Sequence, residues 1–158
     1  MELPFSIVTL TVRRAAAADE EAARAIIEEY NDAVDVTVRD DAEALRSYLN
    51  GPGALWLAFA GERTAGCVVL RPLDGVAPGA CEVKRLYIRP AHRGAGVAGM
   101  LMDALETHAR DAGYSAVYLD SKEGLDDAVR LYRRRGYDEI APYNDNPDAI
   151  VFMRLTLR

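Results

Sequence analysis

One segment constrains the fold of this chain more than any other. Between residues 81 and 112 a strand-like run, a glycine-containing turn and an amphipathic helix follow one another. The run 81–88 suits a strand. Apolar residues then recur at helical spacing from residue 97 to about residue 112, and Gly113 ends the pattern. Because Gly94 and Gly96 lie between the two elements, the segment predicts a strand–turn–helix unit.

The glycines before the helix have two interpretations, and the residues alone leave both open. Without a Cβ atom, glycine adopts left-handed angles, so several N–H groups can converge on one anion at the positive end of the helix. Glycine is equally suited to an ordinary turn. A dinucleotide-binding fold fits poorly, because the third glycine of its motif is missing. A P-loop is excluded, because no Gly-Lys-Ser or Gly-Lys-Thr follows.

The strand at residues 81–88 carries charge on both faces. Strict alternation would place Arg85 with Cys81 and Val83 on one face, and Glu82 with Lys84 on the other. Charged side chains are costly to bury without partners. We therefore expect part of this strand to border a functional cleft.

The remaining patterns predict a single domain covering residues 1–158. Strands are expected at 5–12, 55–60, 64–70, 116–120, 137–141 and 150–157, and helices at about 19–30, 41–49 and 125–135. This order indicates the α+β class, with mixed α/β layers and a mostly antiparallel central sheet flanked by helices. A length of 158 residues suits one core.

Charge and cysteine content narrow the function. A net charge of -6 disfavours a nucleic-acid partner and suits an amine-bearing substrate better. Cys67 and Cys81 lie in apolar runs and form no disulfide framework or metal-binding pair, so no metal is expected. The N-terminus lacks a leader pattern, and no apolar run reaches the ~18 residues of a membrane span. We therefore expect a cytoplasmic protein without a membrane partner.

Two segments resemble the signatures of the GNAT superfamily of N-acetyltransferases. The first is EVKRLYIRP at residues 82–90, followed by RGAGVA at residues 93–98. The second is AVRLYRRRGY at residues 128–137. Together they cover over a third of the chain. The resemblance implies the GNAT acyl-CoA N-acyltransferase fold and an acetyl-CoA-dependent N-acetyltransferase activity.

The resemblance also implies how acetyl-CoA, the cosubstrate, would be held. Main-chain N–H groups of the turn would bind its pyrophosphate; these belong to Arg93, Gly94, Ala95, Gly96, Val97 and Ala98. The main chain of Leu86, Tyr87 and Ile88 would pair with the pantetheine arm, where the strand parts from the strand at 116–120. Many members carry an Asn seven residues before the tyrosine of the second signature. Here that position is Leu125, so this contact has no counterpart.

Two residues are candidates for catalysis. A lysine-like amine has a pKa of about 10.4, so forming the neutral nucleophile at pH 7 costs about 4 kcal/mol and needs a base or desolvation. Glu82 is the best base candidate, because superfamily bases are often carboxylates on this strand that act directly or through water; the alternative is an ion pair with Lys84 or Arg85. Tyr132 matches the tyrosine that often faces the thioester sulfur; the alternative is a packed tyrosine. A phenol is a weaker acid than a thiol, so Tyr132 would act by hydrogen bonding.

Other reactive side chains have plainer interpretations. His92 and His108 are predicted to be surface residues, and Cys81 is predicted to be a core residue rather than a nucleophile. The basic run of the last helix is expected to be a solvated face or, alternatively, to meet the 3′-phosphate of the coenzyme; its members are Arg130, Arg133, Arg134 and Arg135.

The acceptor is the least constrained part of the prediction. In such folds the loop before the last strand, here YNDNP at residues 143–147, and the loop between the first two helices border the acceptor pocket. Plain turn chemistry explains the same residues equally well. We expect an enzyme that acetylates a primary amine of a small molecule or amino acid by direct attack in a ternary complex. The alternatives are a protein N-acetyltransferase, a non-catalytic acyl-CoA sensor and a nucleotide-binding module, and a homodimer is compatible with the sequence.

Overall fold

The computed structural model describes residues 8–158 and contains four helices and seven strands in that part of the chain. The helices are α1 Glu20–Ala33, α2 Ala42–Asn50, α3 Val97–Asp111 and α4 Asp126–Arg134. The strands are β1 Leu10–Arg14, β2 Ala54–Ala60, β3 Arg63–Pro72, β4 Ala80–Ile88, β5 Ala116–Lys122, β6 Asp138–Glu139 and β7 Ala149–Thr156. None of these helices is long and apolar enough to cross a membrane.

All seven strands form one sheet in the order β1-β2-β3-β4-β5-β7-β6. Every neighbouring pair is antiparallel except β4 and β5, which are parallel. The predicted mixed fold with a mostly antiparallel sheet is therefore confirmed. The β4–β5 ladder runs only from the pair Ala80–Ala116 to the pair Glu82–Tyr118. Beyond it the two strands part, while β4 continues to Ile88 beside β3.

Helices cover both faces of the sheet. On one face, Leu101 and Leu105 of α3 are fully buried against a cluster that includes Val68 of β3 and Tyr132 of α4. On the other face, α1 and α2 pack on β2 and β3, and Ile26 of α1 is fully buried there. Each such leucine or isoleucine stabilises the fold by about 1.5–3 kcal/mol relative to an exposed one. The sheet is thus fixed on both sides of the gap between β4 and β5.

A β-bulge in β4 changes which side chains face each side of the sheet. Arg85 has a φ of 58°, and the β3–β4 register shifts between Cys67 and Val69. A bulge inserts one unpaired residue and reverses the alternation beyond it. Leu86 therefore packs in the same cluster as Val83. The strict alternation predicted for residues 81–88 is wrong beyond Lys84.

The predicted elements agree with the structure except near their ends. The first predicted strand begins at residue 5, and residues 5–7 lie outside the described part of the chain. Asp41 caps α2 by accepting a hydrogen bond from Ala44 N at 2.8 Å. Asp19 instead ends a 3-10 turn at Ala17–Asp19, where its carboxylate accepts hydrogen bonds from Arg13. The predicted strand at 137–141 is reduced to two residues.

Candidate active site

The glycine turn presents free backbone donors at the start of α3. Gly94 and Gly96 both have a φ of 81°, in the left-handed region that favours glycine. A Cβ atom at either position would meet no atom within 4 Å, so the space above the turn is open. In the described part of the chain, five consecutive N–H groups donate to no backbone carbonyl: those of Gly94, Ala95, Gly96, Val97 and Ala98. With the positive end of α3, they form a cradle suited to a pyrophosphate.

Arg93 differs from the other residues whose backbone N–H groups were predicted to bind the pyrophosphate. Its backbone N–H already donates to Pro90 O at 3.4 Å, and its side-chain Nε donates to Ile88 O at 3.0 Å. The guanidinium also lies 5.9 Å from the ring centre of Tyr87. Arg93 therefore holds the turn against the end of β4, and its main chain is not among the free donors.

The second half of β4 has one unpaired edge. On the β3 side, Tyr87 pairs with Cys67 and Ile88 with Gly66. On the β5 side the ladder has ended at Glu82, so within residues 8–158 no strand pairs with Leu86, Tyr87 and Ile88 on that side. An extended ligand with amide groups can take the place of a missing strand.

A cleft occupies the gap between β4 and β5 and extends to α1 and α4. We refer to it as the central cleft. Its lining comprises Tyr30, Val34, Val36, Val83, Lys84, Arg85, Leu86, Asp120, Ser121, Lys122, Leu125, Ala128, Tyr132, Asn146 and Asp148. Tyr132 belongs to the cluster that packs under α3, whereas the α1 residue Tyr30 packs on the opposite face. The cleft therefore connects the two faces of the sheet at the point where the strands part.

Tyr132 of α4 lines the central cleft. Its side chain is 6% exposed, and its hydroxyl has no hydrogen-bond partner among the described residues. Burial raises the pKa of Tyr132 well above its usual value, and the nearby Tyr30 and Asp120 raise it further. The phenol therefore stays neutral and keeps its proton as a hydrogen-bond donor.

Glu82 does not line the central cleft. It is completely buried, with Oε1 accepting from Arg71 Nε at 2.7 Å and Oε2 accepting from Tyr143 Oη at 2.6 Å. Lys84 Nζ lies 3.7 Å from Oε2. This arrangement argues against direct contact between Glu82 and the amine, and the role of Glu82 as a base that acts through water stays a prediction. Of the two ion-pair partners considered, Lys84 is near, whereas Arg85 pairs with Asp40 at 2.8 Å.

Sequence reasoning missed a second carboxylate, which does line the cleft. Asp120 accepts hydrogen bonds from Lys84 Nζ at 3.0 and 3.1 Å and from Asn144 Nδ2 at 2.7 Å. Burial alone would raise the pKa of Asp120, but Lys84 and Asn144 outweigh it and the pKa lies below the usual value. The only sequence signal was a charged residue inside an apolar strand pattern.

Two loops meet at the α1 side of the cleft. Asp148, before β7, accepts hydrogen bonds from Thr37 N at 2.9 Å and from Thr37 Oγ1 at 2.7 Å, which lowers the pKa of its carboxyl. Lys122 Nζ donates to Val34 O at 2.7 Å and to Asp35 O at 2.8 Å. We call these contacts the loop bridge. They tie the α1–α2 loop, β5 and the segment before β7 together.

The other reactive side chains lie outside the cleft. Burial raises the pKa of both Cys67 and Cys81 to about 12, so neither is a thiolate at neutral pH. His108 is half-buried, with its ring 5.3 Å from that of Trp56, so the predicted surface position is only partly correct. Arg135 is not part of a solvated face, because it is bound to Glu106 at 3.0 Å. Within residues 8–158, no group of three His, Cys, Asp or Glu side chains could hold a metal ion.

Comparison with known proteins identifies a family for this arrangement. The model of the Acetyltransferase (GNAT) family matches residues 17–137. An uncharacterised N-acetyltransferase of Schizosaccharomyces pombe is 38% identical over 118 residues, which are 73% of this chain and 71% of that protein. The chain spans about half the length of the rodent N-acetyltransferases that it also matches.

Solved structures agree with the fold. An acetyltransferase of the GNAT family from Staphylococcus aureus has a TM-score of 0.79 at 19% identity and covers 95% of this chain and 100% of its own. The yncA protein of Salmonella typhimurium, solved with its cofactor acetyl-CoA, has a TM-score of 0.73 at 24% identity and covers 94% of both chains. The chain therefore belongs to the GNAT acetyltransferase family, and the prediction of an acetyl-CoA-dependent N-acetyltransferase is confirmed.

Proposed function

We propose that this chain transfers the acetyl group of acetyl-CoA to the primary amine of a small molecule or amino acid, by direct attack in a ternary complex. One observation carries the choice of acceptor class: the loop bridge joins the two loops that border the α1 side of the central cleft. A bridged entrance suits a compact amine. A protein segment would need a trough that is open between those loops.

The donor side of the proposal rests on the chain's own backbone groups. Acetyl-CoA supplies an electrophilic thioester carbonyl. The free N–H groups from Gly94 to Ala98 suit its pyrophosphate. The unpaired edge of β4 at Leu86, Tyr87 and Ile88 suits the amides of the pantetheine arm. Leu125 contributes an apolar contact to the cleft at the position where the resemblance implies an Asn in many family members.

In this proposal Tyr132 stabilises the sulfur that leaves the thioester. Even an unperturbed phenol is a weaker acid than a thiol, so transferring its proton to the thiolate is uphill by about 2 kcal/mol. The raised pKa of Tyr132 makes that transfer harder still. Tyr132 therefore donates a hydrogen bond to the developing thiolate, and the net proton comes from the acetylated ammonium.

Glu82 has a positioning role in this proposal. Its carboxylate holds Arg71 and Tyr143 and lies 3.7 Å from the ammonium of Lys84. Through Lys84 it supports the side chains that do line the cleft. Removal of the amine proton then relies on the surroundings of the cleft and on water, since Glu82 cannot reach the amine directly.

The α1 side of the cleft has both a negatively and a positively charged side chain that could bind the substrate amine and its substituents. Asp120 is a buried carboxylate, and Lys122 donates to two carbonyls rather than to a carboxylate. An ammonium has three donors, so Lys122 retains one for a ligand. An acceptor that carries both an amine and a carboxylate would find a partner for each, which supports an amino acid among the candidates.

A panel of acceptors tests the proposed class. Free-thiol release from acetyl-CoA is followed with single amino acids, simple primary amines, and peptides with a free N-terminus or an internal lysine. We expect kcat/KM to be at least about tenfold higher for the free compounds. Preference for peptides would replace the proposal by a protein N-acetyltransferase, and acetyl-CoA binding without any thiol release would favour a sensor.

A further inference from the structure

Asp120 makes the first side-chain contact beyond the end of the β4–β5 ladder, and neither the sequence analysis nor the proposed roles of Tyr132 and Glu82 assign it a function. The ladder ends at the pair Glu82–Tyr118, and two residues further along each strand lie Lys84 and Asp120, joined at 3.0 Å. Side chains two apart on a strand share a face. Asp120 therefore stands at the point where the strands begin to part, next to the unpaired edge of β4.

Asp120 retains capacity for a further hydrogen bond. Its Oδ1 accepts from Lys84, and its Oδ2 accepts from Lys84 and Asn144. Hydrogen bonding from the Asn146 side chain also lowers the pKa of Asp120. A carboxylate has about four acceptor sites, and the three contacts from Lys84 and Asn144 fill three of them. Its side chain is 6% exposed, and that exposure belongs to a residue of the cleft lining.

The other carboxylate of the cleft lining is less suited to hold an amine. Both oxygens of Asp148 accept hydrogen bonds from Thr37, and the residue is at the rim, in the loop bridge. Asp120 instead lines the same cleft as Tyr132 of α4 and Tyr30 of α1. The carboxylate is therefore placed between the side of the cleft that faces α1 and the side that holds Tyr132.

From this placement we infer that Asp120 is the residue that binds the ammonium form of the acceptor and so selects cationic primary amines. The inference rests on the proposed function. Lys84 keeps Asp120 ionised and oriented, and Glu82 helps to hold Lys84 from the other side. An incoming ammonium takes the unfilled acceptor capacity of Asp120, which positions its nitrogen beside the open edge of β4.

The test compares two acceptors of similar size that differ in charge. Ethylamine is a cation near neutral pH, whereas the fluorines of 2,2,2-trifluoroethylamine withdraw electrons and leave its amine largely neutral. Thiol release is measured for the wild-type protein, for Asp120→Asn and for Asp74→Asn, which removes the same charge from an exposed position of the β3–β4 loop, away from the central cleft.

For Asp120→Asn, we expect kcat/KM for ethylamine to fall roughly 10- to 100-fold, because a charge-assisted hydrogen bond is lost. The fall for trifluoroethylamine should be less than about threefold by the same argument. Asp74→Asn should change neither value. An equal loss with both amines, or no loss with ethylamine, would overturn the assignment.

Two controls separate this inference from folding and from the proposed function. Thermal stabilisation by acetyl-CoA should be retained in Asp120→Asn, since the cradle is untouched. If the single variant does not fold, Lys84→Gln/Asp120→Asn removes the pair together and leaves no unpaired charge; the same selective loss with ethylamine is expected. No thiol release by the wild-type protein with any amine would overturn the proposed function, and the assignment with it.

Discussion

Lys84 and Asp120 face each other across the opening between β4 and β5, with Lys84 Nζ 3.0 Å from Asp120 Oδ1 and 3.1 Å from Asp120 Oδ2. The pair lies just beyond the last hydrogen-bonded rung of the two parallel strands. Parting strands expose the backbone edge of β4, and the ion pair fixes side chains at the start of that opening. The donor and acceptor sides of the proposed reaction meet there.

Replacing Tyr132 by Phe removes the hydroxyl that is proposed to donate a hydrogen bond to the departing thiolate of the coenzyme. We expect kcat to fall roughly 10- to 100-fold, because a donor to a developing charge is lost. The dissociation constant of acetyl-CoA should stay within about twofold, since the cradle does not involve this side chain. Tyr114→Phe, at a half-buried tyrosine that does not line the central cleft, is the matched control. Unchanged turnover of Tyr132→Phe would remove the residue from the mechanism.

Gly96→Glu should abolish acetyl-CoA binding, because it places bulk and negative charge where the pyrophosphate is bound. Part of any effect would come from backbone strain, since the φ of Gly96 is 81°. Gly61→Glu controls for this, because Gly61 has a φ of 60° in the β2–β3 turn and open space around it. Both variants should lower the melting temperature, but only Gly61→Glu should still be stabilised by acetyl-CoA. Equal stabilisation of both would refute the pyrophosphate assignment.

Asp148→Ala should loosen the entrance to the acceptor side. The substitution removes both hydrogen bonds from Thr37 and with them the link between the two loops. We expect the ratio of kcat/KM for a bulky amine to that for a small amine to rise by roughly fivefold. Asp74→Ala, at an exposed carboxylate of the β3–β4 loop, should leave the ratio unchanged. If the ratio does not change in Asp148→Ala, the loop bridge does not limit acceptor size.

Glu82→Gln should affect stability more than chemistry. Replacing this buried carboxylate leaves Arg71, whose side chain is 46% exposed, and Tyr143 with a weaker partner, so the free energy of unfolding should fall by about 1–3 kcal/mol. Denaturant unfolding measures this loss, with the exposed Glu123→Gln as the control. In protein that remains folded, kcat should change by less than about threefold. A loss of 100-fold in kcat with normal stability would restore Glu82 as a base.

Local patterns accounted for most of the fold and for the glycine turn before α3. The strand at residues 81–88, the glycine turn and α3 are contiguous in the sequence, so periodicity and turn chemistry predicted them together. The second signature likewise placed Tyr132 on a helix, and the structure brings it to the cleft.

The acceptor side could not be predicted because it depends on contacts between distant residues. Tyr143 reaches Glu82 across 61 residues, and Lys84 reaches Asp120 across 36 residues. The bulge at Arg85 has no signal in the residue types, since it arises from the pairing of β3 with β4. The position at which β4 and β5 part determines that Asp120, and not Glu82, lines the cleft.

The most direct test of the account is a thermal-shift titration with acetyl-CoA, combined with free-thiol release in the presence of primary amines and amino acids. We predict that acetyl-CoA raises the melting temperature in a saturable way, that ATP and NAD do not, and that at least one small amine causes thiol release. Absence of stabilisation by acetyl-CoA would contradict the donor site, and stabilisation without thiol release from any amine would contradict the proposed transfer.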